Sequence, residues 1–456
     1  MKAEKTACRL LWNYPVLNFT TNQIRLCCRT PGKDISNDLI DNLGTNVILN
    51  TDDLKQRRLD MLQGIKHPDC NVCWTLEDTG AQSQRLGLED FRNFIKEKYD
   101  IETDEKANEL IENADINSPL LESKDPYMLE VSLGNLCDLK CVYCNQDYSS
   151  QWAAELIRFG ELDKDEYESK AKGSSKELED IFWKWFYQVG RHSLDRIGII
   201  GGEPLINDRF YPFIDRIIEA YKDLEESGQK KKKVHMWIVT NLNAPETYMK
   251  KFEEKLDYLS DYFFVEVHAS MESLNEKSEF IRNGVKWDRF NSNVERLLSV
   301  KRKNFEFGFQ MAINSLSVTS MTDFLKYAYS LHKKFDSSIT LKQNVVGYPS
   351  WLSPMILPAQ YAKHLDQAAD FVESVQDEMP PITDDFGTWK RYSAFLREVS
   401  ISMKSNNEKK KVEFTNFYSN IQKLSSRRKL KFHEIFPEMK PFLLFCKVVS
   451  ISQSHD

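Results

Sequence analysis

The stretch 127–144, YMLEVSLGNLCDLKCVYC, joins a strand-like segment to three closely spaced cysteines. Its first seven residues are mostly apolar and are followed by a glycine, which is the pattern of a buried strand that ends in a turn. Cys137, Cys141 and Cys144 then share one short loop. At this spacing their thiolates can reach three irons of a four-iron cubane and leave the fourth iron open to a substrate or cofactor.

A zinc site is the alternative interpretation of this loop. Structural zinc takes four ligands, and His192 is distant in the sequence. The polar side chains that directly follow the loop are poor zinc ligands: Asn145, Gln146 and Asp147. The motif therefore favours iron over zinc.

Strand-like and helix-like segments alternate from this stretch onward. The amphipathic segments between the strands repeat apolar residues every three to four positions. The strand candidates are 127–133, 196–200, 234–239, 262–268, 305–314 and 339–345. Six such βα units predict a parallel sheet covered by helices, either an open doubly wound sheet or an incomplete barrel. Both arrangements place functional side chains at the carboxyl ends of the strands.

The composition is that of a globular chain. Of its 456 residues, 41% are hydrophobic and 29% are charged, and no apolar run is long enough to cross a bilayer or to serve as a signal peptide. The formal net charge of −7 argues against a general nucleic-acid binder, which needs clustered excess Lys and Arg. We therefore expect a cytoplasmic protein with no nucleic-acid or membrane partner, and a main domain with smaller satellites.

Eight of the nine cysteines lie in the first third of the chain. In a reducing compartment such clustering favours metal binding over disulfides. Besides the loop, Cys8, Cys27, Cys70 and Cys73 provide four thiolates, which is enough to close a site with no open position. Zinc and an iron–sulfur cluster satisfy this count equally well.

The three-cysteine loop resembles the hallmark of the radical S-adenosylmethionine (SAM) superfamily, C-x3-C-x2-C, with Tyr143 at the aromatic position. The second predicted strand ends in Gly201, Gly202, Glu203 and Pro204, which matches the GGEP segment that binds the methionyl amino group in that family. Glycines allow close approach of the backbone, and Glu203 is an anionic acceptor for an ammonium. The resemblance covers residues 127 to about 350 and implies a [4Fe-4S] cluster on the three cysteines, with SAM bound at its open iron.

The same resemblance implies further contacts to the cofactor. Polar side chains would meet its ribose and carboxylate, and backbone after the sixth strand would meet its adenine. The residues at these positions are Thr240, Asn241, Ser270, Glu272, Arg282, Val346 and Gly347. Glu272 stands where the family more often has an aspartate, and Arg282 is placed to pair with the carboxylate of the cofactor.

The N-terminal cysteine segment resembles the twitch domain that accompanies many radical SAM enzymes and binds one auxiliary [4Fe-4S] cluster. The usual signature is a Cys, then G-x4-C, then C-x2-C; this chain has Asn22 in the glycine position. The segment also precedes the radical SAM region, whereas twitch domains usually follow it. The resemblance implies a second [4Fe-4S] cluster on Cys8, Cys27, Cys70 and Cys73, with Cys28 as the alternative to Cys27.

These features predict an α/β fold, a partial (β/α)6 TIM-like barrel over residues 127–350. A small metal-organised, twitch-like lobe would occupy residues 1–85 and a helical bridge residues 86–126. A mainly helical extension would occupy residues 351–456.

The resemblance implies an enzyme that reductively cleaves SAM to a 5′-deoxyadenosyl radical and abstracts hydrogen from a substrate. We expect a peptide or protein substrate, which a maturase would cross-link, epimerise or oxidise, and an electron donor such as flavodoxin or ferredoxin. The basic run Arg427, Arg428, Lys429 and Lys431 would suit an acidic leader peptide. One alternative is a dehydrogenase or epimerase of a small molecule such as a sugar or aminoglycoside. The other is a non-catalytic iron–sulfur protein for electron transfer or redox sensing.

Cys446 lies apart from the other cysteines, in the apolar segment 441–449. Its neighbours favour a buried, inert thiol. The alternative is a hydrogen-atom donor to a substrate radical, the role that a cysteine has in radical peptide epimerases.

Overall fold

The computed structural model describes residues 3–78, 83, 85–86, 90–172, 176–229, 233–380, 382, 387–405 and 411–453. Two compact units make up the chain. The first consists of Met1–Leu136, Ala153–Ile238 and Asp261–Phe264, and the second of Cys137–Trp152, Val239–Ser260 and Val265–Asp456. Each unit therefore combines segments from distant parts of the sequence.

Eleven strands lie in the described ranges. In chain order they are β1 (Pro15–Asn18), β2 (Gln23–Leu26), β3 (Lys33–Asp34), β4 (Met128–Ser132), β5 (Lys140–Cys141), β6 (Arg196–Ile200), β7 (Val234–Thr240), β8 (Phe263–Ser270), β9 (Arg282–Asn283), β10 (Phe305–Ile313) and β11 (Ile339–Val345).

The α-helices are more numerous than the strands. They are α1 (Leu10–Asn13), α2 (Asn37–Leu43), α3 (Asp52–Leu62), α4 (Asn71–Asp78), α5 (Phe91–Tyr99), α6 (Asp104–Glu112), α7 (Ser150–Arg158), α8 (Lys164–Lys172), α9 (Lys176–Trp185), α10 (Arg191–Ser193), α11 (Phe210–Glu226), α12 (Glu246–Tyr262), α13 (Asn275–Ile281), α14 (Trp287–Ser299), α15 (Met321–Phe335), α16 (Ala362–Val375), α17 (Trp389–Ser405), α18 (Lys411–Arg428), α19 (Phe432–Ile435) and α20 (Lys440–Gln453). Within the described ranges, no helix combines the length and the apolar character needed to cross a membrane.

The sheet of the first unit is parallel at its centre. Its strands follow the order β7-β6-β4-β1, and β2 and β3 extend it beyond β1 as antiparallel neighbours. Leu129 and Val131 on β4 are fully buried, as are Ile197 and Ile199 on β6. The intervening position Glu130 points to the opposite face, because successive side chains of a strand alternate. One face of this sheet is therefore apolar and the other carries polar groups.

The sequence did not predict β1, β2 or β3. β1 has four residues and begins at Pro15, so it offers no periodic pattern to recognise. Its position depends on parallel pairing with β4, in which Val16 lies opposite Glu130. Such long-range pairing cannot be seen in a local window of sequence.

The second unit contains β8, β10 and β11, which run parallel in the order β11-β10-β8. Val267, Phe309 and Leu341 are fully buried and point to the same face of these strands.

The other face of these strands holds a buried charged cluster. Glu266 Oε1 lies 2.8 Å from His268 Nε2 and 2.9 Å from both Lys342 Nζ and Thr340 Oγ1. Glu266 is on β8 and its two partners Thr340 and Lys342 are on β11, so the side chain passes the intervening β10. A Cβ at Gly308 on β10 would lie 1.8 Å from Thr340 Oγ1. Only glycine leaves room for this contact.

All six predicted strands are present. β6 and β11 have the predicted bounds, and the others differ by one or two residues at an end. The α/β class is therefore confirmed, and mostly parallel strands with many helices fit the TIM-like fold that the resemblance implied. The twitch-like lobe and the domain boundaries at 85, 126 and 350 stay predictions.

Candidate iron–sulfur and cofactor sites

Short-range backbone contacts fix the three-cysteine loop of the second unit. β5 contains Cys141 and pairs antiparallel with β9, so Cys141 lies opposite Arg282. The Cys144 N–H donates to the Cys141 carbonyl at 2.9 Å, and the Leu139 N–H donates to Cys137 Sγ at 3.4 Å. One loop thus presents three thiol donors and no fourth, which is the donor set that a cubane with one open iron requires.

Asp138, the residue after the first cysteine, ties this loop to the segment that follows β7. Its two carboxylate oxygens accept from Asn241 Nδ2 and Asn243 Nδ2, each at 2.7 Å. Asn243 is itself fixed, because its Oδ1 accepts the Lys286 N–H at 3.0 Å. Asn241, predicted as a cofactor contact, therefore also positions the loop. The sequence did not predict the roles of Asp138 and Asn243. The Asn-Leu-Asn repeat at 241–243 was the local signal for Asn243.

A buried ion pair lies beside Cys141. Arg282 donates to Glu272 Oε2 from Nη2 at 2.6 Å and from Nε at 3.1 Å, and the Tyr143 hydroxyl donates to Glu272 Oε1 at 3.1 Å. The side chains of Glu272 and Arg282 are 1% and 7% exposed. Arg282 Nη1 lies 3.9 Å from Cys141 Sγ. The structure thus brings four predicted site residues together, with Arg282 paired to Glu272.

Burial disfavours the thiolate form at this loop. It raises the pKa of Cys141, and it raises the pKa of Cys144 to about 12. The positive charge of Arg282 acts in the opposite direction at both thiols. Since only the thiolate binds iron, cluster assembly has to release these protons.

The predicted GGEP segment follows β6 in the first unit. Gly201 and Gly202 have φ angles of 91° and 46°, and a Cβ on Gly202 would lie 2.3 Å from the Leu136 carbonyl oxygen. This close approach allows the Glu203 N–H to donate to the same carbonyl at 2.8 Å. The Glu203 carboxylate is fully buried and accepts the Leu205 N–H at 3.1 Å. Pro204 then begins a short 3₁₀ turn.

The remaining predicted cofactor contacts lie at strand ends in the second unit. Thr240 ends β7, and its hydroxyl accepts a backbone N–H two residues further on at 2.9 Å. Ser270 ends β8 and is half-buried. Val346 and Gly347 follow β11; Val346 is buried, whereas the Cβ position of Gly347 faces open space. The carboxyl ends of parallel strands are where α/β folds bind ligands.

Four cysteines from separate segments line one small pocket in the first unit. Cys8 precedes α1, Cys27 follows β2, Cys70 ends a 3₁₀ turn, and Cys73 lies in α4. The rest of the lining consists of Leu10, Leu11, Arg29, Thr30 and Arg85. The four predicted auxiliary ligands are therefore brought together.

Arg85 holds a fixed position at this pocket. Its Nε and Nη2 donate to the two carboxylate oxygens of Glu77 at 3.0 and 2.5 Å, and its Nη1 donates to the Ala7 carbonyl at 3.2 Å. Burial raises the pKa of both Cys8 and Cys70 to about 12, and the charge of Arg85 acts against this rise. As at the other cysteine site, metal binding has to displace protons from buried thiols.

Cys27 lines the pocket, whereas the adjacent Cys28 does not. Cys27 has a φ of 123°, and Asn22, in the glycine position of the motif, has a φ of 53°. Asn adopts the left-handed region more readily than most residues, so it can replace glycine here. A hydrogen bond between the two thiols raises the pKa of Cys27 and lowers that of Cys28.

No group of three or more His, Cys, Asp or Glu side chains in the described ranges is placed to hold a single metal ion. Zinc would bring its thiolates within about 4 Å of one another, because each Zn–S bond is about 2.3 Å long. A four-iron cubane separates its thiolates further, since each binds a different iron. The second [4Fe-4S] cluster at this pocket stays a prediction.

Cys446 lies in the helical part of the second unit. It is on α20, fully buried, one turn after the buried Phe442. Burial raises its pKa to about 12. Its role as a hydrogen-atom donor stays a prediction.

Comparison with protein-family models supplies a match. Residues 131–314 match the family model described as the Radical SAM superfamily. The matched region begins in β4 and ends just after β10, so it contains the three-cysteine loop and the GGEP segment. No match to a curated protein was found for this chain.

Proposed function

We propose that this radical SAM enzyme carries a second, auxiliary [4Fe-4S] cluster and modifies a peptide or protein substrate. The observation that carries the proposal of a second cluster is the convergence of Cys8, Cys27, Cys70 and Cys73 on one pocket. A cluster with four protein ligands has no open iron, so its role is electron transfer or structure rather than SAM binding.

The pocket also provides positive charge, which a negatively charged cluster with four thiolate ligands needs. Arg29 and Arg85 both belong to its lining. Cations beside an anionic cluster offset part of the cost of burying its charge. The donor set and the surrounding charge therefore both suit the proposed auxiliary cluster.

When bound, the reduced cluster and SAM supply a 5′-deoxyadenosyl radical, which abstracts hydrogen from the substrate. The residues of the chain bind and orient these groups. Glu203 offers a buried carboxylate to the methionyl ammonium, and Ser270 and Thr240 offer hydroxyls at strand ends. Glu272, Arg282 and Tyr143 hold the segment around Cys141 in place. A fixed ligand loop limits the positions that the radical can take.

A peptide substrate is supported by the part of the second unit outside the matched region. Helices α16 and α17 pack together there, as do α18 and α20. The Tyr348 side chain is 83% exposed, and Lys429 and Lys431 are exposed just after α18. Trp351 is buried, whereas Tyr348 is available to a bound chain. Exposed lysines would steer an acidic leader peptide.

The proposal includes two further parts that follow from the chemistry. An external one-electron donor, such as flavodoxin or ferredoxin, has to reduce the cluster before each SAM cleavage. A cytoplasmic location would keep the nine thiols reduced and available for iron.

The substrate can be tested with reconstituted protein under anaerobic conditions. Reduced enzyme and SAM are incubated with labelled precursor peptides encoded beside the gene, or with sugars and aminoglycosides, while 5′-deoxyadenosine is measured. We expect a peptide to raise its release and to transfer deuterium into it, with weaker binding at high salt. Stimulation by small metabolites alone would contradict the peptide proposal, and no 5′-deoxyadenosine at all would favour a non-catalytic iron–sulfur protein.

The proposed leader contact has a matched control. Lys429→Gln with Lys431→Gln should weaken peptide binding at low salt and reduce its salt dependence. Lys250→Gln with Lys251→Gln removes the same charge from exposed positions on α12 and should leave binding unchanged. Equal effects of the two double variants would exclude a specific contact at the end of α18.

A further inference from the structure

Arg428, the last residue of α18, lies against the segment that follows the three-cysteine loop. Its guanidinium carbon is 4.9 Å from the centroid of the Trp152 ring, which is a cation–π contact. All three guanidinium nitrogens are buried from solvent. The positive charge is therefore screened less than a surface charge would be.

Trp152 connects this charge to a predicted cluster ligand. It lies in the first turn of α7, and its indole N–H donates to the Cys141 carbonyl at 2.7 Å. The neighbouring Ser149 hydroxyl donates to the Leu139 carbonyl at 2.6 Å. These two bonds fix the ring relative to the loop, and the ring in turn fixes the place of the guanidinium. A single aromatic ring thus separates Arg428 from the backbone of Cys141.

We propose that Arg428 is a positioning residue that raises the reduction potential of the cluster held by Cys137, Cys141 and Cys144. This inference rests on the proposed function, because it requires that cluster. Reduction adds one electron to an already anionic cluster, so a nearby cation stabilises the reduced form more than the oxidised form. The end of α18 would then assist the first electron transfer of the reaction.

The proposal can be tested by redox titration of the reconstituted full chain, followed by electron paramagnetic resonance. The signal of the three-cysteine cluster is identified by its change on addition of SAM, which a cluster without an open iron does not show. Arg428→Gln should lower the midpoint potential of that signal, and Arg428→Lys should restore most of the shift. Lys423→Gln removes an exposed charge from the same helix and should keep the wild-type midpoint.

Each outcome separates charge from packing. A wild-type midpoint in Arg428→Gln would overturn the proposal, as would equal shifts in Arg428→Gln and Arg428→Lys. Arg428→Met fills similar space without charge. It provides the same measurement of the midpoint potential if Arg428→Gln does not assemble its cluster. Absence of a SAM-responsive signal in the unaltered protein would refute the proposed function itself. A SAM-responsive signal with unshifted midpoints would refute the role of Arg428 alone.

Discussion

The two cysteine sites are assembled in opposite ways. The loop of the second unit takes three thiols from eight consecutive residues, 137–144. The pocket of the first unit takes four thiols from three separate parts of the chain, which contain Cys8, Cys27, and the pair Cys70 and Cys73. Both sites nevertheless place a buried Arg–Glu pair beside a thiol. These pairs are Arg282–Glu272 at the loop and Arg85–Glu77 at the pocket.

This difference matters for what each site can do. Three thiols on one loop leave an iron open, and the loop is tied by Asp138 to the segment after β7. Four thiols around a pocket leave no iron open. We therefore expect the loop to perform SAM chemistry and the pocket to hold a cluster that does not bind SAM.

The largest expected effect comes from removing either set of ligands. Reconstituted protein should contain about eight irons, as two four-iron cubanes. Replacing Cys137, Cys141 and Cys144 with Ala should remove about half of the iron and all formation of 5′-deoxyadenosine. Cys8→Ala with Cys70→Ala should remove the other half. Four irons in the unaltered protein, or zinc in the N-terminal pocket, would contradict the prediction of two clusters.

The next prediction concerns which of two adjacent cysteines, Cys27 or Cys28, is the ligand in the pocket. Cys27 lines it and Cys28 does not, so Cys27→Ala should lose the auxiliary cluster whereas Cys28→Ala should keep it. Iron content and the resonance signal that does not respond to SAM measure the outcome. The reverse pattern would mean that the strained φ of Cys27 turns its thiol away from the cluster.

The sequence predicted the cysteines of both sites but not the contacts that hold them. The loop could be predicted because its three cysteines lie within eight residues, and β6 and β11 because apolar residues recur along them. The contact between Asp138 and Asn243 joins residues 105 positions apart, and no local pattern encodes it. The pairing of β1 with β4 was missed for the same reason. Contacts of this kind depend on the folded chain, whereas motif and period are local.

The buried Arg–Glu pairs provide the next test. Arg282→Met leaves Glu272, which is 1% exposed, without its positively charged partner and should lower the apparent free energy of unfolding by about 3–5 kcal/mol. Arg85→Met leaves Glu77, which is 13% exposed, so its cost should be smaller. Denaturant unfolding of the reconstituted protein measures both. A larger cost for Arg85→Met would show that the pocket, rather than the loop, depends more on its ion pair.

Cofactor affinity should respond more moderately. Glu203→Gln keeps an oxygen for the Leu205 N–H but removes the charge that would bind the methionyl ammonium. We expect SAM binding to weaken by about 1.5–3 kcal/mol, measured by equilibrium dialysis. Glu276→Gln, at an exposed position on α13, is the matched control. Undiminished affinity in Glu203→Gln would refute the assignment of this carboxylate.

Cys446 belongs to neither site and has the smallest expected effect. α20 buries Phe442 and Cys446 one turn apart, while Leu444 and Val448 on the same helix are exposed. With a pKa raised to about 12 by burial, the thiol stays neutral and packs as a small apolar group. Cys446→Ala should therefore cost about 1 kcal/mol of stability and leave both 5′-deoxyadenosine and the product unchanged. Continued 5′-deoxyadenosine formation with loss of product would instead identify Cys446 as the hydrogen-atom donor, because only the quenching of the substrate radical would then have failed.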